Sequence, residues 1–449
     1  MDKLSGKRLL ILGLARQGKA LARFAAEVGA QVTISDLRPP EKLAGSLADL
    51  HDLNLTYVLG EHPMSLLEEM DVLAISGGVP ADAPLVLAAR QRGITITNDS
   101  QEFMKRAPTA VIGITGSAGK TTTTALTGVM GQVAGRRTWV GGNIGRPLIA
   151  DLHKMQPDDM VVQELSSFQL EIWTQSPRVA AVLNVTPNHL DRHKTMAAYA
   201  NAKANILRYQ SADDVAVLAA DDAGAMSLAG EVRGRLRTFS RRGAVADGAF
   251  VRDEYIWLKN GRETAVCPLS DIHLPGQHNV LNVLAAVTLA DTVGIPAEAM
   301  RQAIRTFRGV EHRLELVREL RGARYINDSI ATAPERALAA LASFDEPLIL
   351  LAGGRDKDMQ WDEWTRQVTE RVKHVVLFGD LAAMLERRLA EAGYTQMTRV
   401  EGLATAVATA AHLAKPGDIV LLSPGGTSYD AFTDFAERGE HFRVLVAEL

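Results

Sequence analysis

Residues 110–126 read AVIGITGSAGKTTTTAL: an apolar run, a loop of small residues closing on Gly-Lys-Thr, then a stretch of helical character. A turn of this kind sits between a buried parallel strand and a helix, so it commits the surrounding chain to an α/β fold. Gly116 and Gly119 let backbone N–H groups close on phosphate oxygens, and the following helix offers its positive end. In such a loop Lys120 contacts the β- and γ-phosphates, the Thr121 hydroxyl ligates Mg²⁺, and Ser117, Ala118 and Thr122 complete the cradle. The strict G-x-x-x-x-G-K-[ST] spacing is not met, because Ile114 stands where the first glycine belongs. A tight strand–helix turn without a ligand is the plainer reading; the strand before and the helix after favour phosphate.

A second glycine turn opens the chain, in KRLLILGLARQGKALARFAAEVGAQVTISD (7–36). It lacks G-x-G-x-x-G spacing, since Ala15 replaces the second glycine, but Asp36 ends the next strand where a ribose-binding acid belongs. A dinucleotide dehydrogenase, a packed turn with no ligand, and a site for a different nucleotide all fit these residues.

The chain has 449 residues, long for one core, and is 47% hydrophobic and 23% charged, as expected of globular domains. A net charge of −4 provides no field to recruit nucleic acid. One cysteine, Cys267, permits neither a disulfide framework nor a cysteine-based zinc site. The run Leu9–Leu12 is too short for a signal peptide, and no stretch nears the ~20 apolar residues of a membrane helix. A cytoplasmic monomer that binds neither nucleic acid nor membrane is therefore expected.

Alternating strand-like and helix-like segments divide the chain into three blocks. Residues 1–98 form a Rossmann-like domain, with strands in RLLILG, QVTISD, DVLAISGGV and ITITND. Residues 99–308 form a central domain with a parallel sheet. Its strands lie in TAVIGITG, DMVVQEL, RVAAVLNVT and VAVLAADD, with hairpin alternation around Asn260-Gly261. Residues 309–449 form a third α/β domain with a parallel sheet, from ARYINDS, PLILLAGG, HVVLFGD and DIVLLSPGG.

A phosphate loop needs an acid for its metal, and Glu164 ends an apolar strand that would lie beside the loop strand. NVTPNHLDRH (184–193) sets His189, Asp191 and His193 at alternating positions. A two-histidine zinc site is conceivable there; a polar turn capping the next helix is the commoner outcome.

Together these pieces resemble the Mur ligase family of peptidoglycan synthesis. The resemblance rests on TGSAGKTTTT, GGNIG (141–145), ELSSFQLE (164–171), NVTPNHLDRH, NAKANI (201–206), GQHNVLN (276–282), EHRLE (311–315), NDSIAT (327–332) and LLSPGGTSYDAF (421–432), in family order. It implies a UDP-binding first domain, an ATP-binding second domain and an amino-acid-binding third domain. It also implies ATP-driven peptide-bond formation between UDP-N-acetylmuramoyl-L-alanine and glutamate, the D-enantiomer favoured, with Mg²⁺.

Carried over by residue, Lys120 and Thr121 match the phosphate-loop lysine and a magnesium ligand. Glu164 matches a magnesium-bridging glutamate, His189 a ligand of a second magnesium, and Lys203 a carbamylated lysine. Asn279, Asn282, Arg313 and Asp328 match nucleotide contacts. Asp36 and Arg38 match uridine-side contacts, with Arg16, Gln17 and Gly78 at the diphosphate and uracil edge. Asn143 and Ser166 match positions near the muramoyl-alanine moiety, and Thr332, Lys357, Ser428 and Phe435 the glutamate site. Ile330 stands where many glutamate-adding members carry lysine, and Arg336 or Arg355 is the expected replacement cation. L-Glutamate is the alternative substrate. Folylpolyglutamate synthase is the rival ligase, although its loop usually continues Gly-Lys-Gly-Ser and it lacks a UDP domain.

Overall fold

The computed structural model describes residues 2–274, 276–356 and 359–449; Lys357 and the side chain of Asp191 lie outside the described residues. The chain forms two compact units, Met1–Phe307 and Arg308–Leu449.

The first unit contains two fully parallel sheets. In the first, the strand order is Thr56–Leu59, Gln31–Asp36, Arg8–Leu12, Val72–Ile75, Thr95–Thr97. Leu9, Leu10, Ile11 and Leu12 are buried because helices cover both faces, which is why this strand reads as an unbroken apolar run. Gly18 is required where the first helix crosses the turn: a Cβ there would lie 2.0 Å from the Gly13 carbonyl oxygen.

The second sheet runs Arg235–Phe239, Val215–Ala219, Val179–Val182, Val111–Thr115, Met160–Glu164, Thr138–Gly142. Its phosphate-loop strand, Val111–Thr115, lies between the strands ending in Glu164 and Val182. Strand order reverses there, and ligands bind outside the carboxyl ends at such a point. Phe103, Leu148, Ile149 and Val161 pack in one core with Leu9, Ile11 and Leu21, joining the two sheets into one compact unit. A three-stranded antiparallel sheet follows, Gly248–Arg252, Tyr255–Asn260 and Arg262–Pro268, turning at Gly261.

The second unit's sheet runs Glu315–Leu320, Ala323–Asn327, Ile419–Gly425, Leu348–Gly353, Val372–Phe378, Met397–Arg399. The four strands expected here pair parallel, and a further edge strand that the sequence did not suggest, Glu315–Leu320, pairs antiparallel with Ala323–Asn327. The link is a two-residue turn with both φ positive, Arg321 at 52° and Gly322 at 77°, a geometry that suits hairpins.

Candidate functional site

The loop closes on the helix Lys120–Val133, whose N-cap, Gly119, has φ 82°. A Cβ at Gly119 would lie 2.2 Å from Asn282 Oδ1, on the helix Gln277–Thr292. Gly119→Ala combines a left-handed backbone, worth about 1–2 kcal/mol, with that collision. It is expected to lower kcat/KM for ATP by about 10²-fold or more and to lower the denaturant midpoint; steady-state kinetics and urea unfolding check both.

The loop's tip is held by side chains. Asn184 Oδ1 accepts the Ala118 N–H at 2.8 Å, and Asn184 Nδ2 donates to the Ala118 carbonyl at 3.2 Å. Ser117 Oγ donates to the Thr186 carbonyl and accepts from the Thr186 N–H, each at 3.0 Å, and from the Tyr199 hydroxyl, also at 3.0 Å. Neither Asn184 nor Tyr199 stands out as a site residue in the sequence. Tyr199 does lie one helical turn before Lys203, so the two share a face; Lys203 Nζ sits 4.7 Å from the Tyr199 ring centre.

Lys203 is 1% exposed, on the helix Met196–Arg208. Its Nζ donates to the Gly116 carbonyl at 2.9 Å and to Thr115 Oγ1 at 3.3 Å. Lys120 Nζ donates to the same Gly116 carbonyl at 2.8 Å and to the Ser117 carbonyl at 3.1 Å. Burial, then the Lys120 charge, push the Lys203 ammonium well below the usual lysine range, against an opposing pull from Glu164.

Glu164 is 1% exposed, opposite Ile114 of the loop strand. Its Oε1 accepts from Asn143 Nδ2 at 2.8 Å, while Oε2 is buried and has no hydrogen-bond partner among the described residues. A buried carboxylate oxygen in that state fits a cation better than it fits an apolar wall. The Asn143 carbonyl accepts from Arg16 at 3.1 Å, so the first turn and the phosphate loop connect through Asn143 and Glu164.

Other expected residues are placed differently. His189 is exposed at φ 54°, its ring 5.0 Å from Phe168. His193 stacks on Phe168 and shares a 2.9 Å hydrogen bond with Ser167 Oγ. Among the described residues no group of three or more His, Cys, Asp or Glu could hold a metal. The Ser166 hydroxyl caps its own short helix through Gln169. Asn279 accepts from Asn282 at 2.8 Å. Gln17 accepts from the Gly77 N–H at 3.3 Å, and Gly78 is exposed with open space about it.

Asp36, expected at the sugar or uridine side, is buried at the end of its strand. Its Oδ2 accepts the Leu14 N–H and Arg38 Nη2, each at 2.7 Å; Oδ1 accepts the Arg38 N–H and Nε, each at 2.9 Å. Burial opposes its ionisation, but the bonds from Arg38 and Leu14 prevail and hold its pKa down at about 2. The acid braces the glycine turn and Arg38.

In the second unit, Asp328 accepts from Ser423 Oγ at 2.9 Å and from the Leu314 N–H at 3.2 Å; burial pushes its carboxyl up to about 7. Arg313 is exposed, Ser428 is buried, and Thr332 and Phe435 are half-buried. Of the two expected replacement cations, Arg336 donates to the Ile330 carbonyl at 3.3 Å and Arg355 pairs with Asp380 at 3.0 Å. The sequence does not advertise a third cation. Arg438, fully buried, donates to Ser329 Oγ and the Ser329 and Gly426 carbonyls at 2.9–3.2 Å, tying the loops that carry Ile330 and Ser428.

A phosphate loop at a sheet's switch point, with a buried acid and a buried lysine against it, defines a phosphate-binding α/β enzyme. Family models assign the three parts: a Mur ligase MurD-like N-terminal domain at residues 7–98, a Mur ligase middle domain at 114–290, and a Mur ligase glutamate ligase domain at 312–426. The chain belongs to the Mur ligase family, the ATP-dependent ligases of peptidoglycan synthesis. It is 44% identical over 447 residues to a UDP-N-acetylmuramoylalanine–D-glutamate ligase of Symbiobacterium thermophilum, covering 99% of this chain and 98% of that one. It is 42% identical to the enzyme of the same name from Pelotomaculum thermopropionicum, with the same coverage. Its fold matches the crystal structure of the UDP-N-acetylmuramate–alanine ligase MurC from Thermotoga maritima (TM-score 0.57, 20% identity, 98% and 99% of the two chains). No described helix is long and apolar enough to cross a membrane.

Proposed function

We infer that this chain joins D-glutamate to UDP-N-acetylmuramoyl-L-alanine at the expense of ATP, in the cytoplasm. The observation that carries the chemistry is the buried, unpartnered Glu164 Oε2 beside the phosphate loop. We assign residues 1–98 to the UDP-substrate, 99–308 to ATP and 309–449 to the amino acid. Glu164, Thr121, His189 and Lys203 as its carbamate would hold Mg²⁺. When bound, the ion neutralises charge that develops on the transferring phosphoryl group.

The protein's own work is placement and charge neutralisation. The alanyl carboxylate attacks the γ-phosphorus and ADP departs, leaving an acyl phosphate. The glutamate amine then attacks the acyl carbon. Phosphate leaves with one of the original carboxylate oxygens, and the amine loses a proton. Lys120 faces the transferred phosphoryl group. Burial and the Lys120 charge disfavour the Lys203 ammonium; once it gives up a proton, the amine nitrogen bonds to the carbon of CO₂ and a second proton is released, giving an anionic carbamate. Asn279, Asn282, Arg313 and Asp328 serve the nucleotide, Asn143 and Ser166 the muramoyl-alanine end, and Thr332, Lys357, Ser428 and Phe435 the glutamate.

D-Glutamate is favoured over L-glutamate because the relatives of that name match across nearly the whole chain. Initial rates with each enantiomer at matched concentration are expected to favour D-glutamate by about 10²-fold or more. A preference for L-glutamate reverses the assignment.

A further inference from the structure

Glu164 ends its strand, and the chain continues into the four-residue helix Ser167–Leu170. So short a helix has little stability of its own, and its place is set by what grips it. Two buried asparagines do so from distant parts of the chain. Asn98, 2% exposed, follows the strand Thr95–Thr97 of the first sheet and caps the helix Asp99–Met104. Its Nδ2 donates to the Gln169 carbonyl at 2.9 Å. Its Oδ1 accepts from the Gln101 N–H and Ser100 Oγ, each at 2.8 Å, and from Trp173 Nε1 at 3.2 Å. Asn205, 7% exposed, lies two residues after Lys203 on the helix Met196–Arg208. Its Nδ2 donates to the next carbonyl, that of Leu170, at 2.9 Å, and its Oδ1 accepts from Arg208 at 2.7 Å. In each amide a carbonyl on one side and a donor on the other fix which end is nitrogen. One helix therefore meets the phosphate loop through Lys203 and the segment after Glu164 through Asn205. Gln163, the residue before Glu164, donates to the Ser100 carbonyl at 3.4 Å, so the helix that Asn98 caps is bonded on both sides of Glu164.

We propose that Asn98 and Asn205 are positioning residues that together set the spacing of Glu164 from Lys203. Both act through the backbone of Gln169 and Leu170. A hard cation needs its oxygen ligands at a defined separation, and a misplacement of about 1 Å at a reacting centre is costly. The proposal rests on assigning Glu164 and Lys203 to the metal site.

The test uses the full chain with Asn98→Asp or Asn205→Asp. Aspartate keeps the shape and the acceptor bonds and turns only the donor into an acceptor that faces a carbonyl. Three quantities are read: kcat and KM, the urea midpoint, and Mn²⁺ binding followed by electron paramagnetic resonance with the chain in excess over ADP. Each variant is expected to lower kcat about tenfold and weaken Mn²⁺ binding about tenfold, with the KM for ATP changed only a few-fold. Asn98→Ser and Asn205→Ser remove the donor without opposing the carbonyl; they should shift both quantities in the same direction, and they carry the test if the aspartate variants do not fold. Folded variants with wild-type kcat and Mn²⁺ binding overturn the proposal. A lowered urea midpoint with kcat and Mn²⁺ affinity unchanged overturns it as well, leaving the two asparagines as helix caps. Wild-type chain that binds no Mn²⁺ beyond that held by ADP overturns instead the metal assignment beneath it.

Discussion

Glu164→Gln is expected to lower kcat by about 10³-fold with the KM for UDP-N-acetylmuramoyl-L-alanine changed only a few-fold. The substitution preserves shape and can keep the 2.8 Å bond from Asn143. It removes the negative charge from the buried Oε2, which has no hydrogen-bond partner among the described residues. An amide carries no anionic oxygen for Mg²⁺, and a hard divalent cation discriminates strongly between the two. The loss should lie in phosphoryl transfer, and the Mg²⁺ concentration for half-maximal rate should rise. Titrating ADP release against Mg²⁺ reads both quantities. A near-normal rate with an unshifted Mg²⁺ dependence excludes Glu164 from the metal site.

Lys203→Ala should be similarly severe, about 10³-fold in kcat, and should respond to added carboxylate. The side chain is buried against the loop, and its amine shares the Gly116 carbonyl with Lys120. Two ammonium groups so close would repel, and a metal nearby would add to the repulsion; a carbamate turns one of them into an anion. Alanine leaves a cavity into which acetate can bring anionic oxygens, so partial recovery with millimolar acetate is expected. Wild-type enzyme supplied with ¹³C-labelled CO₂ should show a carbamate carbon resonance that the variant lacks. Absence of that resonance from active enzyme, together with no recovery, contradicts the carbamate.

The phosphate loop, Glu164 and the central strands were legible because a strand buried on both faces reads as an apolar run with its chemistry at the carboxyl end. Edge strands carry no such signature. Thr56–Leu59, Thr138–Gly142, Arg235–Phe239, Glu315–Leu320 and Met397–Arg399 all lie at sheet edges and are only partly buried. Thr95–Thr97 is also an edge, and the run ITITND was nevertheless read as a strand. In the site, residue type identified Lys120 and Glu164, whereas roles set by partners stayed hidden. That Asp36 braces the Leu14 N–H and Arg38 is visible only in the structure. Asn184, Tyr199 and Arg438 act by bracing loops far away in sequence, which no local pattern encodes.

The most direct test of the chemistry follows oxygen. UDP-N-acetylmuramoyl-L-alanine carrying ¹⁸O in its carboxylate is incubated with ATP, Mg²⁺ and D-glutamate, and the released phosphate is analysed by mass spectrometry. An acyl phosphate requires one labelled oxygen in each phosphate formed, with the other retained in the new amide. Phosphate released without label would show that the carboxylate never attacked the γ-phosphorus, and would contradict ligation by this route.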